Sequence, residues 1–305
     1  MNRTSLGYFL NLPIIEDLED FSNLINLSKQ TLFYLTNNIE QHYKSKTIKK
    51  KNGTNRFLSC PSTEIKALQS WILRNILDKI PLDHSATAFR KGFNLKNNVE
   101  KHLKNNFIIK IDIKDFFDSI PSLRVYTFFK SLGYNKFIAF LLTKICSYNN
   151  CLPQGGVTSP TLSNIICTNM DRRIIGYLSK RNVTYTRYAD DMIFSSNKSG
   201  IIFKAIEFVK KIIKQENFVI NEEKFKVIRP GDKRLITGLI INDNNEIRIG
   251  KERKKFLRAM IYNFVNNKSD NVNQIKGWLA FLHDVDLKTY EYLINYQSKL
   301  NNTKK

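Results

Sequence analysis

Val183-Thr184-Tyr185-Thr186-Arg187-Tyr188, then Ala189-Asp190-Asp191, then Met192-Ile193-Phe194-Ser195, is the stretch whose reading decides the fold. β-Branched and aromatic residues dominate both flanks, so each flank reads as a strand. The acidic segment between them reads as the tip of a hairpin. Two carboxylates at such a tip share a small volume and raise each other's pKa, a cost that a divalent cation removes. By itself an Asp-Asp pair serves equally well as a solvated turn, because Asp favours turns. A second segment, upstream, decides between the two.

Phe107-Ile108-Ile109-Lys110-Ile111-Asp112-Ile113-Lys114-Asp115-Phe116-Phe117 carries an apolar, β-branched run that ends at Asp112. That is the pattern of a buried strand delivering one carboxylate to its exposed end. Asp112, Asp190 and Asp191 together offer three carboxylates to Mg²⁺, a hard ion that takes oxygen ligands and substrate phosphates. The set predicts two-metal phosphoryl transfer, with one ion activating a primer hydroxyl and the other steadying pyrophosphate.

The charge balance agrees with a phosphate-rich partner. The 305-residue chain carries a formal charge of +22 with 42% hydrophobic residues. It is long enough for a large core, and its field attracts polyanions, nucleic acid first. An anionic membrane would call for a basic amphipathic segment, and none stands out. No apolar run is long enough to span a bilayer. Met1-Asn2-Arg3-Thr4 lacks the basic-then-apolar order of a signal peptide. No membrane partner and a cytoplasmic location are therefore expected. Cys60, Cys146, Cys151 and Cys167 lack metal-ligand spacing and read as reduced thiols.

Neither a repeat nor a long linker interrupts the chain. Leu18, Phe21, Leu24, Ile25, Leu32, Leu35 and Ile39 recur at helix spacing. A basic stretch, Tyr43 to Ser59, contains Asn52-Gly53, a turn signal between two short strands. A long helix follows Ser62-Thr63, with helices again near Ser122, Asn135–Ser147 and Thr161–Leu178. Leu152-Pro153-Gln154-Gly155-Gly156 between them is a loop. Lys224–Ile228 and Leu235–Ile241 read as strands, and a basic helical region starts at Gly250.

Asp112 with Phe116-Phe117, the Leu152-Pro153-Gln154-Gly155 loop and Tyr188-Ala189-Asp190-Asp191 resemble, in order, the motifs of reverse transcriptases. Within that family the chain is similar to the bacterial retron enzymes. Asn98-Val99-Glu100-Lys101-His102 resembles their Asn-Ala-x-x-His signature, and Ile236-Thr237-Gly238 their Val-Thr-Gly signature. Val99 and Ile236 are small apolar departures, and Gly156-Val157 stands where the family commonly has Ala-Pro.

The resemblance implies an α+β, right-hand polymerase. It would have an N-terminal helical extension (1–39), fingers (40–108), a palm with antiparallel sheet, helices and an interleaved fingers segment (109–242), and a helical thumb (243–305). It implies Asp112, Asp190 and Asp191 as catalytic acids holding two Mg²⁺ ions with the Ile113 carbonyl, and Lys224 as the residue that helps protonate pyrophosphate. Phe117 would bar a 2′-OH on the incoming dNTP, Gln154 would lie against that nucleotide, and Lys49 and Arg56 would clamp its triphosphate. Asn98 and His102 would bind RNA or brace the fingers. Thr237, Gly238, Lys254 and Arg258 would meet RNA along the palm–thumb junction. The implied reaction copies a structured non-coding RNA from an internal 2′-OH into branched, RNA-linked single-stranded DNA (msDNA), in anti-phage defence with a separate effector protein. Two alternatives stay open here: another bacterial reverse transcriptase, of group II intron or diversity-generating type, and a non-catalytic RNA-binding scaffold.

Overall fold

Alternation and capping account for most of the secondary structure. The computed structural model describes residues 5–49, 53 and 55–302. Met1–Thr4 and Asn52, named above, lie outside them.

Three short helices open the chain: α1 (Ser5–Phe9), α2 (Leu18–Ile25) and α3 (Lys29–Asn37). Asp17 and Ser28 cap the latter two by accepting from the amides of Asp20 and Thr31. Leu24 keeps the helical spacing yet stays exposed, while Phe21, Leu32 and Leu35 enter the main core. Strands β1 (Tyr43–Lys49) and β2 (Asn55–Pro61) pair as an antiparallel hairpin, and α4 (Thr63–Asn75) follows behind its Ser62 cap. α5 (Leu95–Glu100) starts with a capping box at Asn94 and Asn97, a mutual satisfaction of free amides.

Next come β3 (Phe107–Asp112), α6 (Ser122–Ser131), α7 (Lys136–Cys146), the long α8 (Ser159–Ser179), β4 (Thr184–Tyr188), β5 (Asp191–Ser196), α9 (Ser199–Gln215) and β6 (Lys226–Ile228). The four strands form one antiparallel sheet, ordered β4-β5-β3-β6. Period-two alternation divides its side chains between two cores. Ile109, Ile111, Met192 and Phe194 join the cluster that includes α8 and α9, whereas Ile108, Ile193 and Ile228 join a second cluster. Asp112, Lys110 and Asp191 share the second face, at the end of the sheet where β3 and β5 pair Asp112 with Asp191.

The second cluster also holds β7 (Arg234–Ile236), β8 (Leu239–Ile241), β9 (Ile247–Arg248), α10 (Lys251–Val265), α11 (Val272–Val285) and α12 (Leu287–Asn302). Two strand expectations need correction here. Lys224 is not in a strand: it ends a 3-10 turn, Glu222–Lys224, and β6 begins at Lys226. The run Leu235–Ile241 is a hairpin, because Thr237 and Gly238 both take positive φ, 43° and 83°, and reverse the chain.

The 108/109 boundary falls inside β3, and the β7-β8-β9 sheet spans 242/243. The helices before residue 39 contribute to the same core as α4 and α7. Among the described residues no helix is long and apolar enough to cross a membrane. The four cysteines are free, and burial pushes the Cys146 thiol up to about 12.

Candidate active site

Strand register gathers the acids. Asp112 ends β3 directly opposite Asp191, the first residue of β5, and Asp191 also pairs with Tyr188 of β4. Ala189 and Asp190 form the two-residue connection, with Ala189 at φ 58°. A positive φ in such a tight connection matches the twist of the strands. The Asp190 carbonyl accepts from the Ile113 amide at 3.1 Å, closing the tip onto the end of β3.

The electrostatics are those of crowded anions. Burial, then the charge of Asp112, pushes the Asp190 carboxyl up to about 6. Burial also raises Asp191, against the pull of Lys110, whose ammonium lies 3.7 Å away. Lys224 donates to both oxygens of Asp112, at 2.9 and 2.8 Å. Burial alone would lower the Lys224 ammonium; its bonds to Asp112 and the three negative charges reverse that and raise it. Among the described residues no three Asp, Glu, His or Cys side chains form a ready metal cluster. Two lysines instead engage the carboxylates. The donor set is nonetheless hard oxygen, with more negative charge than it can hold comfortably, and a cation already sits on Asp112. Those are the properties that Mg²⁺ matches. Ile113 has a buried side chain and lies where its strand leaves the sheet, bridging Ile220.

Lys110 was readable in the sequence, since a residue two before Asp112 on a strand shares its face. Arg187 was not singled out, although a charge inside a buried β-run is a signal. It is wholly buried and meets Asp171 of α8 at 2.6 Å, with its Nε at 3.0 and 3.2 Å from the two carboxylate oxygens. Its Nη1 donates to Asn164 at 3.1 Å and to the Ala189 carbonyl at 3.3 Å. Tyr185 donates to Asp171 at 2.7 Å. This network fastens the acidic tip to α8.

The loop at 152–156 lies against the β1–β2 hairpin. The Ser59 amide donates to the Gln154 carbonyl at 2.9 Å, and Gln154 itself is half-buried. Gly155 has φ 132°, and a Cβ there would stand 2.8 Å from the Ser59 carbonyl oxygen. Its close approach is therefore to strand β2. Gln69 of α4 braces the same loop, accepting from the Val157 amide at 2.8 Å while donating to Tyr43 and Ile145.

Lys49 and Arg56 are both exposed near the outer end of the hairpin, but on opposite faces. Arg56 is registered with Ile48, so Lys46 shares its face, whereas Lys49 is registered with Asn55 and shares a face with Phe57. Phe117 is half-buried beyond the acids, its ring 5.4 Å from Phe116 and 6.3 Å from Phe89.

Of the two roles expected of Asn98 and His102, RNA binding or bracing, their burial fits bracing, for both are 0% exposed. His102 spends both ring nitrogens on Ser195 at 2.6 Å and Thr186 at 2.8 Å, and burial, then Lys101, pushes it down to about 3. It is a neutral tie between β4 and β5. Asn98 accepts from Thr87 at 3.1 Å and donates to Thr237 at 3.4 Å, bracing the β7–β8 turn. Thr237 and Gly238 are partly exposed there; the Gly238 carbonyl accepts from Arg253 at 3.1 Å.

Beside that turn a cleft of about 1010 Å³ is lined by Lys233, Arg248, Lys251, Arg253, Phe256 and Trp278 among others. Cations interleaved with aromatic rings suit phosphates and bases. Lys254 and Arg258, on the same helix, lie over Tyr292 at 3.7 Å and Tyr296 at 4.9 Å of α12.

Comparison with known proteins agrees with this geometry. A family model described as reverse transcriptase (RNA-dependent DNA polymerase) matches residues 48–272, more than half of the chain. The retron Ec86 reverse transcriptase of Escherichia coli is 41% identical over 95% of this chain and 91% of its own. The retron Ec73 enzyme of Escherichia coli is 31% identical over 81% of this chain and 84% of its own. The retron Mx162 enzyme of Myxococcus xanthus is 28% identical over 90% and 65%. Among solved structures, telomerase from Candida albicans in complex with a TWJ fragment of telomeric RNA is similar with a TM-score of 0.50. At 13% identity, over 85% of this chain and 60% of that one, this likeness bears on the fold alone.

Proposed function

The chain belongs to the reverse transcriptase family, among its retron members, and is an RNA-directed DNA polymerase; we propose on that premise that it copies a structured non-coding RNA from an internal 2′-OH into branched msDNA. The observation that carries the chemistry is the register of Asp112 opposite Asp191, with Asp190 at the tip between strands. On this reading Asp112, Asp190, Asp191 and the Ile113 carbonyl would hold two Mg²⁺ ions. When bound, they would supply an acidified primer hydroxyl and a neutralised pyrophosphate.

The chain's own groups do the rest. Lys224 leaves Asp112 and offers its proton and charge to the departing pyrophosphate, an exchange supported by the 57% exposure of its side chain. Lys224→Met should lower kcat by roughly 10²-fold, in the range of one general acid. It should also lower the Mg²⁺ concentration for half-maximal activity by about fivefold, since about 1 kcal/mol of a competing ion pair is gone. A Mg²⁺ titration of both proteins checks this, and unchanged kcat would leave Lys224 as a counter-ion only.

Phe117 excludes the ribose 2′-OH, supported by its half-exposed ring just past the acids. Phe117→Ala should relax discrimination between dNTP and rNTP by roughly tenfold to a hundredfold. Equal kcat/KM ratios in mutant and wild type would return the ring to core packing. Gln154 lies against the incoming nucleotide, and Lys49 and Arg56, both exposed near the outer end of the hairpin, meet the triphosphate. Thr237, Gly238, Lys254 and Arg258 border the RNA at the basic cleft, with Asn98 and His102 acting from behind as braces. Steep salt dependence of RNA binding is expected from this surface.

On this reading the protein works in the cytoplasm beside a separate effector, in defence against phage. The test is to express the gene with its native flanking DNA and sequence the nucleic acid that co-purifies, before and after debranching enzyme. DNA joined to RNA through a 2′ linkage supports retron synthesis and identifies template and primer. RNA bound without any attached DNA overturns it.

A further inference from the structure

One aromatic ring near the acids is displayed at a cost to the fold. Phe89 has φ 58°, a region that a bulky side chain rarely enters, and it is 44% exposed. Burial therefore does not explain the conformation, and the neighbouring backbone enforces it. Ser85 accepts from the Arg187 amide and Thr87 donates to the Arg187 carbonyl, both at 2.8 Å. Ala88 accepts from Asn164 at 2.8 Å, and Arg90 donates to Asp83 at 2.7 Å and Ala86 at 3.2 Å. Arg187, two residues before Ala189, thus pins the segment that carries Phe89. Its ring lies 6.3 Å from Phe117 and 6.4 Å from Tyr188, tilted to both, with its remaining surface open.

We propose that Phe89 is a template-strand contact, its ring packing on the nucleobase paired with the primer terminus. This rests on the polymerase reading above. The order of groups across the sheet carries the assignment. Lys224 stands beside β6, Asp112 ends β3, Asp190 and Asp191 lie at the β4–β5 tip, and Phe89 lies outside edge strand β4. The acids and Lys224 handle the primer hydroxyl and the phosphates. A ring beyond Tyr188, on the far side of the acids and next to Phe117, meets bases, and those of the opposite strand. An apolar ring has nothing to offer phosphate, but every base has a face on which it packs. Holding the ring in a strained, pinned conformation keeps it from collapsing onto Phe117, so it is ready before the hybrid arrives.

The test measures single-nucleotide incorporation on a defined RNA template annealed to a DNA primer. The template position paired with the primer terminus carries either a normal base or an abasic site. Wild type, Phe89→Ala, Phe89→Tyr and Asp190→Asn are compared, with thermal unfolding of each. Phe89→Ala should lose roughly tenfold in kcat/KM on the normal template, the effect of one lost base–ring contact. On the abasic template wild type and Phe89→Ala should be equal. Phe89→Tyr, which keeps the ring, should recover most of the activity. The same loss on both templates, or none on either, overturns the proposal. If wild type, like Asp190→Asn, incorporates nothing, the polymerase reading itself fails and this inference falls with it.

Discussion

Asp190→Asn should abolish nucleotide incorporation and, in the absence of divalent metal, make the protein more stable near neutral pH. The activity loss is expected at roughly 10³-fold or more, as when one member of a catalytic unit is removed. The stability gain follows from the site's electrostatics. An Asp in the unfolded chain titrates near about 3.9; in the fold, burial and Asp112 push Asp190 up to about 6. Between those values the folded protein binds more protons than the unfolded one. Its stability from this group is therefore greatest in acid and falls as pH rises through about 6. Asparagine carries no charge to bury, so the difference in favour of the mutant should reach on the order of 1–3 kcal/mol above that pH. Unfolding followed from pH 4 to 8 in chelator, then with added Mg²⁺, checks both halves. A mutant no more stable than wild type at pH 8, with incorporation retained, would remove Asp190 from the site.

Arg187→Met should be among the most damaging single changes to the fold. It leaves Asp171 buried without its partner, a loss of about 3–5 kcal/mol. Natural domains hold only about 5–15 kcal/mol in total, so the urea midpoint should drop sharply. Arg187→Met combined with Asp171→Leu removes both charges and should recover much of the stability, because an apolar pair can replace a buried ion pair. It should not recover activity. Arg187 Nη1 also donates to the carbonyl of Ala189, the positive-φ residue that turns Asp190 toward Asp112, and methionine cannot. A stable double mutant with wild-type kcat would show that the network supports the core and not the tip. Equal loss in single and double mutants would mean that the ion pair contributes net stability in this setting.

Much of this site could be read from one dimension. The β-branched run into Asp112 and the strand-acid-acid-strand pattern around Asp190 report local physics. Alternation and turn preference act over a few residues, and apolar strands can end only where the core ends. Lys110 could be read the same way, by counting two residues back from Asp112. The hairpin register could not. Nothing local says that Ile48, and not Lys49, lies opposite Arg56, and a slip of one residue exchanges the faces on which every side chain points. Pattern also misled at Leu235–Ile241, where a continuous apolar run conceals a two-residue reversal at Thr237-Gly238.

By itself, then, the sequence determined the elements, the three acids and their order, the basic surface and the resemblance to retron reverse transcriptases. Each of these resides in residue type and short spacing. Tertiary structure alone decided which polar residues are buried as braces and which stay exposed. Asn98 and His102 could bind RNA or brace the fold as far as sequence goes, yet both are buried, Asn98 between Thr87 and Thr237 and His102 between Ser195 and Thr186, by partners at 2.6 to 3.4 Å. Gly155, which sequence places only in a loop, is an accommodation to the Ser59 backbone. Arg187 and Asp171, 16 residues apart in the chain, meet only because β4 packs on α8. Burial and partnership belong to contacts between distant segments, and desolvation makes those contacts obligatory once the chain has folded.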